Sequence, residues 1–360
     1  MKFTLSLLTF ALWTLLCGCK GSDPRARITP TNLAVETTIS TDGSGLVTFH
    51  ATAKNAATFT FYFGEGLNGA LIATDGMATH SYLTSDTYKV KVLAFSSDNI
   101  SIDKTVDITV NVTVPSAGYT TPATYPGMTL VWSDEFDGDQ LNTSDWNVEI
   151  GGNGWGNHEL EYYQQANTSV SDGYLIIKAR QEVFGSQAYT SSRLTTQGKK
   201  AFQYGRVDIR AILPKGQGLW PALWMLGSSI FTVGWPKCGE IDIMEMIGGG
   251  GKDSTVYGTA HWDNAGSHAS YGGHRALFNG QLFADEFHVF SIVWTATTIT
   301  WYLDDVQYQV IDITPAELSE LRAEFFFIFN VAVGGDWPGS PDGTTLFPQR
   351  MVVDYVRVFQ

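Results

Sequence analysis

The chain has 360 residues and a formal charge of −14, with 22 Lys and Arg against 36 Asp and Glu. With no basic run to interrupt that balance, nucleic acid is excluded as an expected partner. Sulfated polysaccharides, which need a cationic cleft, are disfavoured against neutral ones. The length suffices for two domains, and an aromatic content of 13% supplies large cores.

At the start, Met1-Lys2 and the apolar run from Phe3 to Leu16 read as a secretory signal, too short and too close to the terminus for a spanning helix. Leu16-Cys17-Gly18-Cys19 resembles a bacterial lipoprotein cleavage site. The resemblance implies a signal peptide at 1–18, acylation of Cys19 and a polar tether at 19–27. It implies a lipid-anchored protein of the bacterial cell envelope, at the outer-membrane surface, touching membrane only through its lipid. The alternative is a soluble secreted protein. With Cys19 acylated, Cys238 is left single, no internal disulfide forms, and Cys238 reads as a small buried hydrophobe.

Residues 28–114 form the first domain. Residues 88–95 and 106–114 alternate apolar and polar side chains, the pattern of half-buried strands in a small sandwich. Apart from Trp13, every tryptophan lies at Trp132 or later, so this segment lacks the residue that sugar-binding faces favour. Phe61-Tyr-Phe-Gly-Glu-Gly66 and His80-Ser-Tyr82, leading into Tyr88, resemble a polycystic-kidney-disease (PKD) domain of the immunoglobulin-like kind. That implies a spacer, with glycan binding as the alternative. Residues 115–127, rich in Pro, Gly, Ser and Thr, read as a semi-rigid linker.

Residues 128–360 read as all-β. Segments at 174–180, 205–213, 298–303 and 351–359 are short, rich in β-branched or aromatic residues, and bounded by turn formers. One helix start stands out at Thr314-Pro-Ala-Glu317, continuing to about Glu324, with threonine as cap, proline in the first turn and glutamate closing a capping box.

The segment richest in chemistry is Gly239-Glu-Ile-Asp-Ile-Met-Glu245, which places Glu240, Asp242 and Glu245 in a stretch apolar enough to be a buried strand. Unpartnered buried carboxylates are costly, so acid/base chemistry explains them better than packing. Blunting of an acidic sheet edge is the structural alternative. Strand alternation points Glu240 and Asp242 one way and Ile241 and Ile243 the other. Glu245 has the wrong parity unless a β-bulge around Met244 adds one residue. The glutamates then stand roughly 13 Å apart along the backbone, and inward-leaning side chains bring their carboxyls to about 5 Å. That matches the separation of roughly 5–5.5 Å in a retaining glycosidase, against about 6.5–9.5 Å in an inverting one. Glu240 is then the nucleophile and Glu245 the acid/base, with Asp242 raising the proton affinity of Glu245 and orienting Glu240.

This strand resembles the active-site strand of glycoside hydrolase family 16, in the bulged form of its laminarinase-like branch. In order, Trp132-Ser-Asp-Glu-Phe-Asp137, Trp155-Gly-Asn-His-Glu-Leu-Glu-Tyr-Tyr163, Gly218-Leu-Trp-Pro-Ala-Leu-Trp-Met225, Tyr257-Gly-Thr-Ala-His-Trp262, Phe287-His-Val-Phe-Ser-Ile-Val-Trp294 and Gly334-Gly-Asp-Trp-Pro-Gly339 match that branch as well. The resemblance runs from about Tyr119 to Gln360. It implies a β-jelly roll of two packed antiparallel sheets and an endo-acting, retaining hydrolase of β-1,3-glucan, with mixed-linkage β-1,3-1,4-glucan as a further substrate.

The same resemblance implies that Trp220 and Trp224 line the subsites, with Asn157, Glu159, Arg193, His261 and Trp337 contacting sugar hydroxyls or stacking on rings. Each of these could instead fill core or loop. His261, His268 and His274 are too irregularly spaced for a zinc motif, and no cofactor is expected for catalysis. A structural calcium ion is implied at Glu135, the Gly173 carbonyl and Asp354, whose oxygens suit that ion. The protein is expected to be a monomer. A galactan hydrolase for agarose or carrageenan and a non-catalytic surface glycan-binding protein stand as alternatives.

Overall fold

The computed structural model describes residues 27–65 and 70–360. The signal segment 1–18, the acylation site Cys19, the tether through residue 26 and Gly66 of the first-domain motif lie outside the described residues.

Among the described residues, the N-terminal part builds two antiparallel sheets around one core. Thr31–Ile39, Leu46–Lys54 and Met77–Ser81 form one sheet; Ala70–Ala73, Thr58–Tyr62, Asp86–Phe95 and Ser101–Val110 form the other. Alternation in Asp86–Phe95 turns Tyr88, Val90, Val92 and Ala94 inward onto Phe49, Phe61 and Tyr82. The two buried tyrosines satisfy their hydroxyls locally, Tyr82 donating to Phe63 O at 2.9 Å and Tyr88 to Thr84 O at 2.7 Å.

The C-terminal part is a jelly-roll sandwich of two larger sheets. One runs in the order Thr168–Ser171, Tyr174–Ala179, Gln349–Phe359, Gly205–Ile212, His288–Trp294, Thr298–Leu303, Val306–Asp312, with Leu130–Asp134 also paired to Gln349–Phe359. The other runs Ser267–Ala276, Thr255–Asn264, Glu240–Glu245, Leu219–Gly227, Phe325–Val333, Arg193–Thr195, Asn147–Glu149. Ile241, Leu223, Met225, Phe327 and Phe329 from this second sheet meet Val207, Ile209, Ile292, Trp294 and Trp301 from the first. Phe325–Val333 is buried along its whole length, with Asn330 the one polar side chain in an otherwise apolar run.

The helix expected from Thr314 takes another form. Thr314 spends its amide and its hydroxyl on Asp312 Oδ1, at 2.8 and 2.7 Å, closing a turn at the end of a strand. Pro315 occupies the cap position without a side-chain bond, and Ala316–Arg322 form a 3₁₀ segment kinked at Leu318. Burial of Leu318 and Leu321 in the core fixes it, so tertiary packing overrides the capping signal.

The N-terminal unit meets the first large sheet at three cations, Lys178, Arg180 and Arg350. Along Tyr174–Ala179 the core takes Leu175, Ile177 and Ala179, which sends Ile176, Lys178 and then Arg180 outward. Arg180 donates to Glu65 O at 2.7 Å and to Glu65 Oε1 at 3.0 Å, Lys178 donates to Thr84 Oγ1 at 3.2 Å, and Arg350 donates to Leu83 O at 2.5 Å. Burial pulls the Lys178 ammonium down to about 8. Burial alone would raise Glu65, but the bond to His80 and the charge of Arg180 hold it below the usual carboxylate range. The linker runs along this face too: Tyr119 N donates to Phe287 O, Arg210 to Tyr119 O, and Tyr125 Oη to Asp208.

Removing one partner of a buried ion pair leaves the other charge uncompensated, at a cost of about 3–5 kcal/mol. Arg180→Ala is therefore expected to loosen the N-terminal unit, splitting thermal unfolding into two calorimetric transitions; a single unshifted transition would show that this pair does not hold the units together.

Candidate active site

The acidic strand Glu240–Glu245 carries an extra residue. Against Thr255–Asn264, Asp242 faces Thr259 but Glu245 faces Tyr257, three steps against two. Against Leu219–Gly227, Trp224 faces Asp242 and Leu223 faces Met244, so Ile243 is the residue left over. The bulge falls in the region expected around Met244, and both Ile243 and Met244 enter the core. Glu240, Asp242 and Glu245 consequently share the face turned away from it.

Each carboxylate has a neutral or titratable donor beside it. Trp235 Nε1 donates to Glu240 Oε2 at 3.1 Å, and Trp220 Nε1 donates to Glu245 Oε1 at 3.0 Å. His261 Nε2 lies 3.0 Å from Asp242 Oδ2 and 3.7 Å from Glu240 Oε1, while its Nδ1 is 2.8 Å from His268 Nε2. A neutral His261 that donates from Nε2 to Asp242 accepts at Nδ1 from His268. Orientation of Glu240, expected from Asp242, therefore comes from Trp235 and from the histidine between the two acids.

Burial raises all three proton affinities. Glu240 is pushed up to about 8 by burial and then by the charges of Asp242 and Glu245, against the pull of His261 and Trp235. Glu245 is pushed up to about 8 by burial and by Asp242, and Asp242 to about 8 by burial. Such a strand holds protons near neutral pH instead of three negative charges. Glu240, Asp242 and His261 also bring ligating atoms within 4.8 Å of one another, a geometry a cation could share.

Aromatic rings flank the acids. Beside Glu245, Trp220 meets Trp337 edge-on at 5.6 Å, and Trp337 meets Tyr257 at 5.1 Å. Beside Glu240, Trp235 stands 4.6 Å from His268. Trp337 and Trp235 are exposed, and Trp220 and His261 stand next to the acids.

The remaining expected contacts are committed to one another. Trp224 Nε1 donates to Asn330 Oδ1 at 2.8 Å, and Asn330 Nδ2 donates to Tyr163 Oη at 3.2 Å. Tyr163 Oη donates to Glu159 Oε2 at 2.9 Å, and Asn157 Nδ2 to Glu159 Oε1 at 3.0 Å. Arg193 donates to Glu149 Oε2 at 2.5 Å and stacks between Trp155 and Trp224, 5.0 and 4.9 Å from their centroids. Trp155 and His158 hold positive φ of 47° and 56° in this loop, strain of a kind that gathers at functional sites. Trp155, Tyr163, Trp235, Tyr257, His268 and Asn330 were not expected as site residues. Of these, Trp155 and Trp235 had a signal, a large ring directly after glycine in a loop.

Glu135, Gly173 and Asp354 line one cavity of about 400 Å³ on the other sheet, together with Asp137 and Asp172. Both oxygens of Glu135 accept from Arg357, at 2.8 and 2.7 Å, and Asp354 Oδ2 accepts from Arg210 at 2.6 Å. The donor set is all oxygen and rich in carboxylates, which suits a hard cation, with Arg357 as its competitor for Glu135.

Residues 128–357 match the model of the family described as glycosyl hydrolases family 16. A β-glucanase from Rhodothermus marinus is 41% identical over 252 residues, 65% of this chain and 86% of that protein. The laminarinase catalytic domain from Thermotoga maritima has 49% identity and a TM-score of 0.61, covering 65% of this chain and 98% of that one. The endo-β-1,3-glucanase from Pyrococcus furiosus has 44% identity and a TM-score of 0.60, covering 65% and 94%. The matched span holds the whole bulged strand with its three acids and the indoles around them, and on that ground the chain belongs to glycosyl hydrolase family 16.

Proposed function

We propose that the protein is an endo-acting, retaining glycoside hydrolase that cuts β-1,3-glucan, and mixed-linkage β-1,3-1,4-glucan with it, by double displacement. The observation that carries this reading is the placement of Glu240 and Glu245 on one face of a bulged strand between aromatic rings. The names of the relatives, a β-glucanase, a laminarinase and an endo-β-1,3-glucanase, supply the polymer.

In the first step, ionised Glu240 attacks the anomeric carbon while Glu245 gives its proton to the glycosidic oxygen. The C–O bond to the leaving chain breaks, and a glycosyl ester forms on Glu240. In the second, Glu245 takes a proton from water, whose oxygen attacks the same carbon, and Glu240 leaves as the carboxylate. Two inversions retain the anomeric configuration. Asp242 raises and His261 lowers the proton affinity of both glutamates, and burial helps keep Glu245 protonated until it is used. Trp220, Trp337 and Tyr257 offer apolar faces to pyranose rings at one end of the cleft, Trp235 and His268 at the other.

The N-terminal unit reads as a PKD-type, immunoglobulin-like domain. Its two sheets on one core support this, and its bonds to Lys178, Arg180 and Arg350 support a spacer held in place. Acylation of Cys19 and display at the outer-membrane surface rest on residues 16–19. Calcium, where bound, would take oxygens from Glu135, Gly173 and Asp354 and add a crosslink beside the final strand. Excess chelator should then lower Tm and leave kcat unchanged well below it; an unchanged Tm would remove the ion from the account.

Glu240→Gln should cut turnover of laminarin by on the order of 10⁴-fold or more while oligosaccharide binding persists, and Glu245→Ala by about 10²–10⁴-fold. Products released by the native enzyme should keep the β configuration by NMR. Loss of binding with turnover retained, or release of α-anomers, would sink the assignment. No cleavage of either glucan alongside cleavage of agarose or carrageenan would move it to a galactan.

Stability should depend on the same protons. An acid whose folded pKa lies above its unfolded one binds more protons when folded, so its contribution is complete below the ordinary carboxylate range and is lost as pH rises through about 8. Asp242→Asn removes one such group. Its Tm relative to the native enzyme should climb steadily between roughly pH 5 and pH 9; a flat difference would show that Asp242 titrates as an ordinary acid.

A further inference from the structure

The bulge that sets the parity of Glu245 is held from outside its own sheet. Trp301, on Thr298–Leu303 of the opposite sheet and wholly buried, donates from Nε1 to the main-chain oxygen of Asp242 at 2.8 Å. In a regular ladder, carbonyls lie in the plane of the sheet and bond to the neighbouring strand. An indole arriving through the core reaches one only where the chain tilts out of that plane, as a bulge makes it do. The bond thus falls at the residue directly before the extra one, Ile243.

The facing strand is cut to fit. Gly258 lies between Thr259 and Tyr257, the partners of Asp242 and Glu245, and so stands across from the bulge. A Cβ built there would come within 2.4 Å of Trp301 Cδ1, 2.6 Å of Tyr308 Oη and 2.8 Å of Trp301 Nε1. Its neighbours Val256 and Ala260 point the same way into the core and carry side chains without this conflict. Only a residue with no side chain at 258 leaves the indole room to reach the bulge.

We infer that Trp301 is a positioning residue for the acid/base: its N–H clamps the Asp242 carbonyl from across the core, locks Ile243 as the extra residue, and so keeps Glu245 on the cleft face. Gly258 is the second part of the same device. This rests on the assignment of Glu245 as acid/base, and the test separates the two.

Trp301→Phe keeps a buried ring and deletes the donor. First-turnover rates are compared on laminarin, whose leaving group needs a proton, and on a dinitrophenyl β-1,3-gluco-oligosaccharide, whose leaving group departs without one. A misplacement of about 1 Å can cost on the order of 10²-fold, so kcat on laminarin should fall about 10- to 100-fold. KM should stay within about 3-fold, and the dinitrophenyl substrate should lose less than about 3-fold. Gly258→Ala, which displaces the indole without removing it, should show the same split, and it decides the matter if Trp301→Phe does not fold. A lowered Tm with laminarin turnover within about 2-fold of native would reduce Trp301 to packing and overturn the inference. Equal losses on both substrates would overturn it too, because they signal general distortion. Glu245→Ala is run alongside: if it lacks the leaving-group split, the acid/base assignment itself fails, whatever Trp301 does.

Discussion

A β-strand turns alternate side chains to opposite faces, and the acidic strand must satisfy two faces whose demands do not fit that period. Toward the core it has to deliver apolar groups, and Ile241, Ile243, Met244 and Met246 are all buried there. Toward the cleft it has to deliver Glu240, Asp242 and Glu245. Strict alternation would bury Glu245 between the sheets, where an unpaired carboxyl is costly. One extra residue reconciles the two sets, and the neighbouring strands show the consequences. Trp224 and Leu223 accommodate the slip on one side, and Gly258 faces it on the other. The chemistry proposed for the cleft depends on this single irregularity, because it decides which side of the sheet the second glutamate occupies.

The electrostatics depend on where cations are withheld. The hydrogen-bond donors on the three acids are two indoles and one imidazole, and no Lys or Arg among the described residues pairs with them. A guanidinium there would hold the carboxylates ionised and deprive Glu245 of the proton that its proposed role needs. The nearby cation, Arg193, is drawn off by Glu149 and covered by Trp155 and Trp224. Indole donors orient an acid without adding charge, so burial and mutual repulsion remain free to raise proton affinity. Elsewhere in the same sandwich, buried arginines are paired freely, as at Arg206 with Asp208 and Arg210 with Asp354. The contrast marks the cleft as a place where neutralisation would defeat the arrangement.

What could be read from the sequence was what local periodicity encodes. The spacing of Glu240, Asp242 and Glu245 among isoleucines disclosed both the strand and its bulge, because a parity conflict is visible without any partner strand. Which residue is the extra one was not legible, since the register of the neighbours chooses between Ile243 and Met244. The network under Trp224 was not legible. Asn330 and Tyr163 are 106 and 167 residues away from the groups they bond, at Trp224 and Asn330, and the bonds that join Asn157 to Glu159 and Arg193 to Glu149 show only in the fold. The capping pattern at Thr314 misled for a related reason: Asp312 competes for the same hydroxyl, and only the turn that joins them reveals it.

The two large sheets put their outer faces to different uses, and the charge pattern explains why each face suits its own. On the sheet of the acidic strand, the rings of Trp235 and Trp337 are left exposed. On the other sheet, Lys178, Arg180 and Arg350 project outward from a protein of net charge −14, where the N-terminal unit meets them with Glu65 and with main-chain oxygens of Leu83 and Thr113. Main-chain oxygens stabilise a cation without needing an ionised partner, so most of this contact does not depend on matching charge for charge. Val114 joins Ile176, Ile212 and Val352 in a small apolar cluster at the seam, and the linker strand beyond it pairs with Phe287. Chain that leaves the N-terminal unit is thus laid down along the larger sandwich before its first strand begins. The acidic strand lies in the other large sheet, so the contacts with the N-terminal unit and the three acids are carried by different sheets.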